Sequence, residues 1–89
     1  MKILAVCGMG FGSSMVLRMT IESVLRELGI TATVATADIG TAKAETADII
    51  VTSSEFATML ADKNVPVITI TNYVDKNEMK EKLQPVVQK

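Results

Sequence analysis

The sequence predicts an α/β domain: a four-stranded parallel sheet with helices on both faces. Three observations lead there. Short apolar runs occur at Lys2–Cys7, Ala47–Ser53 and Val65–Thr71, each of strand length and bounded by turn residues. Between and after them lie segments whose apolar residues recur at helical spacing. The resulting order, β-α-β-(α)-β-α-β-α, requires crossovers between strands, and crossovers imply parallel pairing. The 89 residues fit one domain, 1–89. Hydrophobic residues make up 48% of the chain, but its aromatics are only Phe11, Phe56 and Tyr73, so aliphatic packing must build the core.

The elements follow in order. Lys2–Cys7 reads as a buried strand ending at the chain's one cysteine. A helix is expected from Ser13 or Ser14. Its apolar stripe is Leu17, Ile21, Val24, Leu25 and Leu28, with Arg18, Glu22, Arg26 and Glu27 mostly off it. Gly29 ends it as a C-terminal cap. Thr31–Asp38 is a weaker second strand suited to an edge. The "GTAKAETA" stretch that follows is a loop or short helical turn. Ala47–Ser53 is apolar enough for a central strand. Ser54–Asp62 is expected to form a short helix with Phe56, Met59 and Leu60 inward. In the fourth strand, Pro66 is tolerated because it stands at the start. The last helix begins near Asp75, where Asp75 and Glu78 resemble a capping box. Its apolar face is Met79, Leu83, Val86 and Val87, and Pro85 is expected to bend or fray its end. All crossovers should be right-handed.

Composition excludes several functions. A net charge of −1 with interspersed signs gives neither a nucleic-acid footprint nor a polybasic membrane patch. One cysteine forms no internal disulfide. With no histidine, a zinc site and any Ser-His or Cys-His catalytic pair within the chain are ruled out. No metal or other cofactor is expected, and a reduced, cytoplasmic setting fits the lone thiol. "MKILAVC" faintly resembles a lipoprotein cleavage site, but only Ile3 to Val6 lie between Lys2 and Cys7. A signal peptide needs roughly 7–15 apolar residues there. No apolar run approaches the roughly 18 residues of a membrane span.

The architecture predicts a site before any motif is considered. In open parallel sheets ligands bind beyond the carboxyl ends of the strands, where strand order reverses. With order 2-1-3-4 that point lies between the first and third strands. Cys7 ends the one, and Thr52, Ser53 and Ser54 end the other. These hydroxyls either join the site or cap the following helix.

After Cys7 comes the glycine-rich run Gly8, Met9, Gly10, Phe11, Gly12, Ser13, Ser14. A strand, a glycine turn and a helix start together form a cradle of backbone amides at the positive end of a helix. Such a cradle suits an anion, phosphate above all. Glycines let the backbone curl its amides inward. Ser13 and Ser14 can cap the helix or donate hydroxyl hydrogen bonds. A thiol in that place is expected to have its pKa lowered, because the cradle favours the thiolate. Thiolate and phosphate cradle together describe a cysteine that takes a phosphoryl group. The plain alternative is a cysteine that only packs.

Three functional readings compete. A dinucleotide loop wants G-x-G-x-x-G and an acid after the second strand. Gly8, Gly10 and Asp38 fit, but the last glycine position holds Ser13. A low-molecular-weight tyrosine phosphatase has the same strand-loop-helix arrangement and carries C-x5-R-[ST]. Here the arginine position is Ser13, while Ser14 fits the last place. Without that guanidinium the transferring phosphoryl group lacks its clamp. Arg18 lies about one helical turn further on and does not replace it, and Asp75 is the nearest candidate for a general acid. The third reading is relay, in which the cysteine accepts a phosphoryl group and passes it on.

"ILAVCGMGFGSSMVLRM" resembles the active-site segment of enzyme IIB subunits of the bacterial phosphoenolpyruvate-dependent sugar phosphotransferase system. It is most similar to the ascorbate-type group, whose signature runs roughly A-V-C-G-x-G-x-G-S-S. The likeness extends through "ADIIVTSSEF", and chain length and element order fit a free-standing subunit with a fold like that of the low-molecular-weight phosphatases. The resemblance implies that Cys7 is a phosphocysteine and that Gly8 to Ser14 is the phosphate loop. It implies a IIA phosphohistidine protein as donor. The acceptor would be a sugar held by the membrane IIC permease, where the protein would dock transiently at the inner face. Met9 and Phe11, with Met15, Met19 and Arg18 near the helix start, are candidate partner contacts; Met9 and Phe11 read equally well as packing for the loop. A relay must hold its phosphoryl group without handing it to water, and the missing arginine suits that task. The reading from another class is a non-enzymatic anion-binding or thiol-sensing module. Asp38 would repel phosphate and is expected to lie aside; Lys43 reads as solvated.

Overall fold

The computed structural model describes residues 1–6 and 10–87, with the side chains of 10–14, 55 and 62 outside that description. Its elements are β1 (Lys2–Val6), α1 (Gly10–Leu28), β2 (Thr33–Ala37), α2 (Ile39–Ala44), β3 (Ile49–Thr52), α3 (Ser54–Ala57), a 3-10 turn at Ala61–Lys63, β4 (Val67–Thr69) and α4 (Lys76–Val87). The sheet order is β2-β1-β3-β4, and every pair is parallel. The expected order therefore holds, with β2 on an edge and β1 and β3 inside.

Side chains alternate across the sheet, so each strand supplies two cores. Ile3, Ala5, Ile49, Val51 and Ile68 face one side and pack with Leu17, Ile21, Val24 and Leu25 of α1 and Met79 and Leu83 of α4. Leu4, Val6 and Ile50 face the other side with Ala42 of α2 and with Leu60. Burial on both faces explains why β1 and β3 read as continuous apolar runs. The β1–β2 connection moves one way along the sheet over the first face. The other two connections move the opposite way over the second face, so all three crossovers share one hand.

α1 carries the expected stripe, with Leu17, Ile21 and Val24 fully buried. Its end is a Schellman motif: the Ile30 amide donates to the Leu25 carbonyl at 2.9 Å and the Gly29 amide to Arg26 at 3.2 Å. Gly29 takes φ 70°, which a side chain would strain. α1 begins at Gly10, earlier than the expected Ser13 or Ser14. Glycines weaken a helix by only about 1 kcal/mol each, and this one is anchored by a long buried stripe.

Two further expectations change, the helix over 54–62 and the capping box of α4, while α2 takes the helical alternative. "GTAKAETA" contributes to a true helix, α2, because Asp38 caps it: its Oδ1 accepts the Thr41 amide at 2.7 Å. The predicted helix over 54–62 is α3 followed by the 3-10 turn. The tightening lets the Leu60 amide bond to both Phe56 and Ala57. Leu60 is fully buried as expected and Phe56 is half-buried, but Met59 turns outward and is 50% exposed. The capping box of α4 is only half formed. Asp75 Oδ1 accepts the amides of Asn77 and Glu78, while the Glu78 carboxylate reaches back past it to Thr71 and Asn72. Pro85 lies inside α4, which runs on to Val87. Proline forfeits one helical hydrogen bond there, and Val86 and Val87 offset it by packing against the core.

Gly29 and Gly40 should respond oppositely to alanine. A Cβ on Gly29 meets no atom within 4 Å, so the penalty is conformational, about 1–2 kcal/mol of lost stability. On Gly40 it would lie 3.6 Å from Asp38 Oδ1, an ordinary contact inside a helix, so Gly40→Ala should gain roughly 0.5 kcal/mol. Urea denaturation of the two variants checks both signs.

Candidate functional site

β1 and β3 end side by side. Val6 pairs in register with Thr52, and Thr52 with Thr69 of β4. Thr52 is fully buried, and its hydroxyl donates to the Val6 carbonyl at 2.9 Å. Its own carbonyl accepts the Ile70 amide at 2.9 Å. Three strand ends are thereby laced together at the carboxyl edge, where the switch point of strand order was expected.

Cys7, Gly8 and Met9 lie outside the described residues. Gly10, Phe11, Gly12, Ser13 and Ser14 belong to the first turns of α1, and their side chains are outside the description. The first amides of an α-helix have no partner within it; those of Gly10, Phe11 and Gly12 are among them here. No acidic residue stands in that first turn, so the helix's partial positive charge is uncompensated there. With the helix starting at Gly10, Ser13 and Ser14 no longer occupy the capping position expected of them.

Ser53 is the N-cap residue of α3, yet its side chain makes no capping hydrogen bond. Ser54 is exposed. Met15 and Met19 are each 62% exposed on α1. Arg18 is half exposed and pairs with Glu22 at 3.5 Å. Asp38 is spent on the α2 cap, and the Thr41 amide and hydroxyl hold its carboxyl below the usual range. Asp75 caps α4 through Oδ1, which accepts the Asn77 and Glu78 amides.

Lys82 and Thr20, which the sequence did not single out, join Glu78 in fastening the segment between β4 and α4. The Glu78 carboxylate accepts the Thr71 and Asn72 amides at 3.1 Å each, and Lys82 bonds both Glu78 and the Thr69 carbonyl. From the other side, the Thr20 hydroxyl lies within hydrogen-bonding reach of the Val16 and Tyr73 carbonyls. A buried threonine one turn from Leu17 on the apolar face of α1 was the available sequence signal.

The family profile described as "PTS system, Lactose/Cellobiose specific IIB subunit" matches residues 2–85. The chain belongs to the PTS IIB family. Within it, a Mycoplasma pneumoniae protein named "Ascorbate-specific PTS system EIIB component" is 34% identical, over 98% of this chain and 95% of that relative. A protein of the same name from Escherichia coli O157:H7 is 35% identical, over 97% and 88%. The solution structure of the cellobiose-specific phosphotransferase IIB component protein from Borrelia burgdorferi shares the fold. It superposes with a TM-score of 0.58 at 21% identity, covering 98% of this chain and 87% of that one. Among the described residues of this PTS IIB chain, no helix is long and apolar enough to cross a membrane.

The Glu78 fastening has a pH signature. Amides of Asn72 and Thr71, then Lys82, lower its carboxyl from 4.5 to about 2. A depressed folded-state value means the contribution is complete above the unfolded value and lost as pH falls toward the folded one. Between pH 7 and about pH 3, the urea midpoint of the native protein should therefore fall more steeply than that of Glu78→Gln. Equal slopes would contradict the latch.

Proposed function

We propose that this PTS IIB protein is a phosphocysteine relay. The Cys7 thiolate attacks the phosphorus of a phosphohistidine on a IIA protein. The P–N bond breaks as the P–S bond forms, and the histidine takes up a proton. A hydroxyl of a carbohydrate bound to the membrane IIC permease then attacks the same phosphorus. The P–O bond forms as the P–S bond breaks, the thiolate returns, and the hydroxyl proton leaves to solvent. Ascorbate is the proposed carbohydrate; the names of the relatives at about 35% identity support it. The protein works in the cytoplasm and meets the inner membrane face only through IIC.

One observation carries the reading. The chain's single thiol follows directly on Val6, the last residue of a central strand whose end is tied to β3, and α1 begins shortly after it. In this reading Gly8 to Ser14 bind the phosphoryl oxygens, the first-turn amides of α1 chief among them. Amides aimed at developing charge stabilise phosphoryl transfer without a base. Ser13 in place of an arginine favours relay over hydrolysis. Exposed Met15 and Met19, with Arg18 between them in sequence and Met9 and Phe11 closer to Cys7 in sequence, are the proposed contacts with IIA and IIC.

Incubation with phosphoenolpyruvate, the general phosphotransfer proteins and a IIA partner should add one phosphoryl mass to the protein. Cys7→Ser should abolish the label. Equal labelling of that variant would overturn the assignment. Appreciable turnover of p-nitrophenyl phosphate, lost in Cys7→Ser, would favour a phosphatase instead.

A further inference from the structure

We propose that Thr52 is a positioning residue for the Cys7 thiol, acting through the carbonyl of the Val6–Cys7 peptide. The proposal rests on the reading of Cys7 as phosphoryl acceptor. Among the described residues, the buried polar side chains are Thr20 and Thr52. Thr20 serves the Tyr73 segment. Thr52 is fully enclosed, on the face of the sheet that it shares with Val6 and Ile50, where the neighbours are apolar. Valine has the same shape and would satisfy that packing. What valine lacks is the hydroxyl donated to the Val6 oxygen at 2.9 Å.

That oxygen belongs to the last peptide before the nucleophile. A peptide unit is planar, so the Val6 oxygen, the Cys7 nitrogen and the Cys7 Cα lie in one plane. Holding the oxygen fixes that plane, and with it the direction in which the thiol-bearing residue leaves the sheet. The anchor is itself rigid: Thr52 pairs with β1 on one side, and its carbonyl takes the Ile70 amide on the other. Phosphoryl transfer is sensitive to such alignment, because small misplacements of a nucleophile cost large factors in rate. The same alignment governs how well amides near the thiol stabilise the thiolate.

The chain has one cysteine, so the rate of iodoacetamide alkylation reports Cys7 alone. Its pH midpoint should rise in Thr52→Val by roughly half a unit or more, toward the ordinary thiol value near 8.5. Thr52→Ser keeps the hydroxyl and should match the native protein. Phosphoryl uptake from phosphorylated IIA should slow about tenfold in Thr52→Val, with KM for IIA unchanged, measured below the melting transition, which the loss of a buried hydrogen bond lowers. Two results would overturn the proposal: an unshifted midpoint in Thr52→Val, or a shift in Thr52→Ser as large as in Thr52→Val. Should Thr52→Val fail to fold, Thr52→Ala carries the same outcomes. If the native protein takes up no phosphoryl group, the relay fails, while the alkylation profiles still decide whether Thr52 positions the thiol.

Discussion

Strand β1 is hydrogen-bonded along both edges, to β2 on one side and to β3 on the other. The connections that build these pairings leave in opposite directions and cover opposite faces of the sheet. The carboxyl end of β1 lies at that switch point of strand order, and the rigidity of that end comes from neighbours on two sides rather than from the strand alone. Thr52 adds a side-chain bond at the last register pair. The PTS IIB fold in this chain thus delivers one strand terminus, held from both edges, to the foot of a long helix.

Charge around that terminus is arranged by the same local chemistry. The acids that follow β2 and β4, Asp38 and Asp75, and Glu78 on α4 all spend their oxygens on backbone amides. Each ties a loop or caps a helix. The first turn of α1 carries no acid, so its amides and dipole keep their positive character. In the relay proposed above, amides of that kind would meet the phosphoryl dianion.

Much of this was legible in the chain because it depends on local pattern. The run from Ile3 to Val6, the stripe from Leu17 to Leu28 and the cap at Gly29 are written in neighbouring residues, and the alternation of elements pointed to parallel pairing. What escaped depends on partners far along the chain or on competition between weak local signals. Glu78 matched a capping box by spacing, but two amides at the end of β4 outbid the cap. Met59 shared helical spacing with Phe56 until the helix tightened into a 3-10 turn. The glycines that marked a loop instead opened a helix at Gly10. The bond from Thr52 to Val6 spans 46 positions, and only the register of two strands discloses it.

The central claim is that the end of β1 and the first turn of α1 together hold a phosphoryl group on Cys7. Backbone amide NMR spectra of the protein before and after phosphorylation test it most directly. The account predicts that the largest shifts fall on Gly10, Phe11 and Gly12, with Thr52 also moving, while Lys2 and Asp48 at the opposite end of the sheet stay in place. Shifts centred away from that first turn, or a phosphorylated protein whose Gly10 to Gly12 amides do not move, would contradict it.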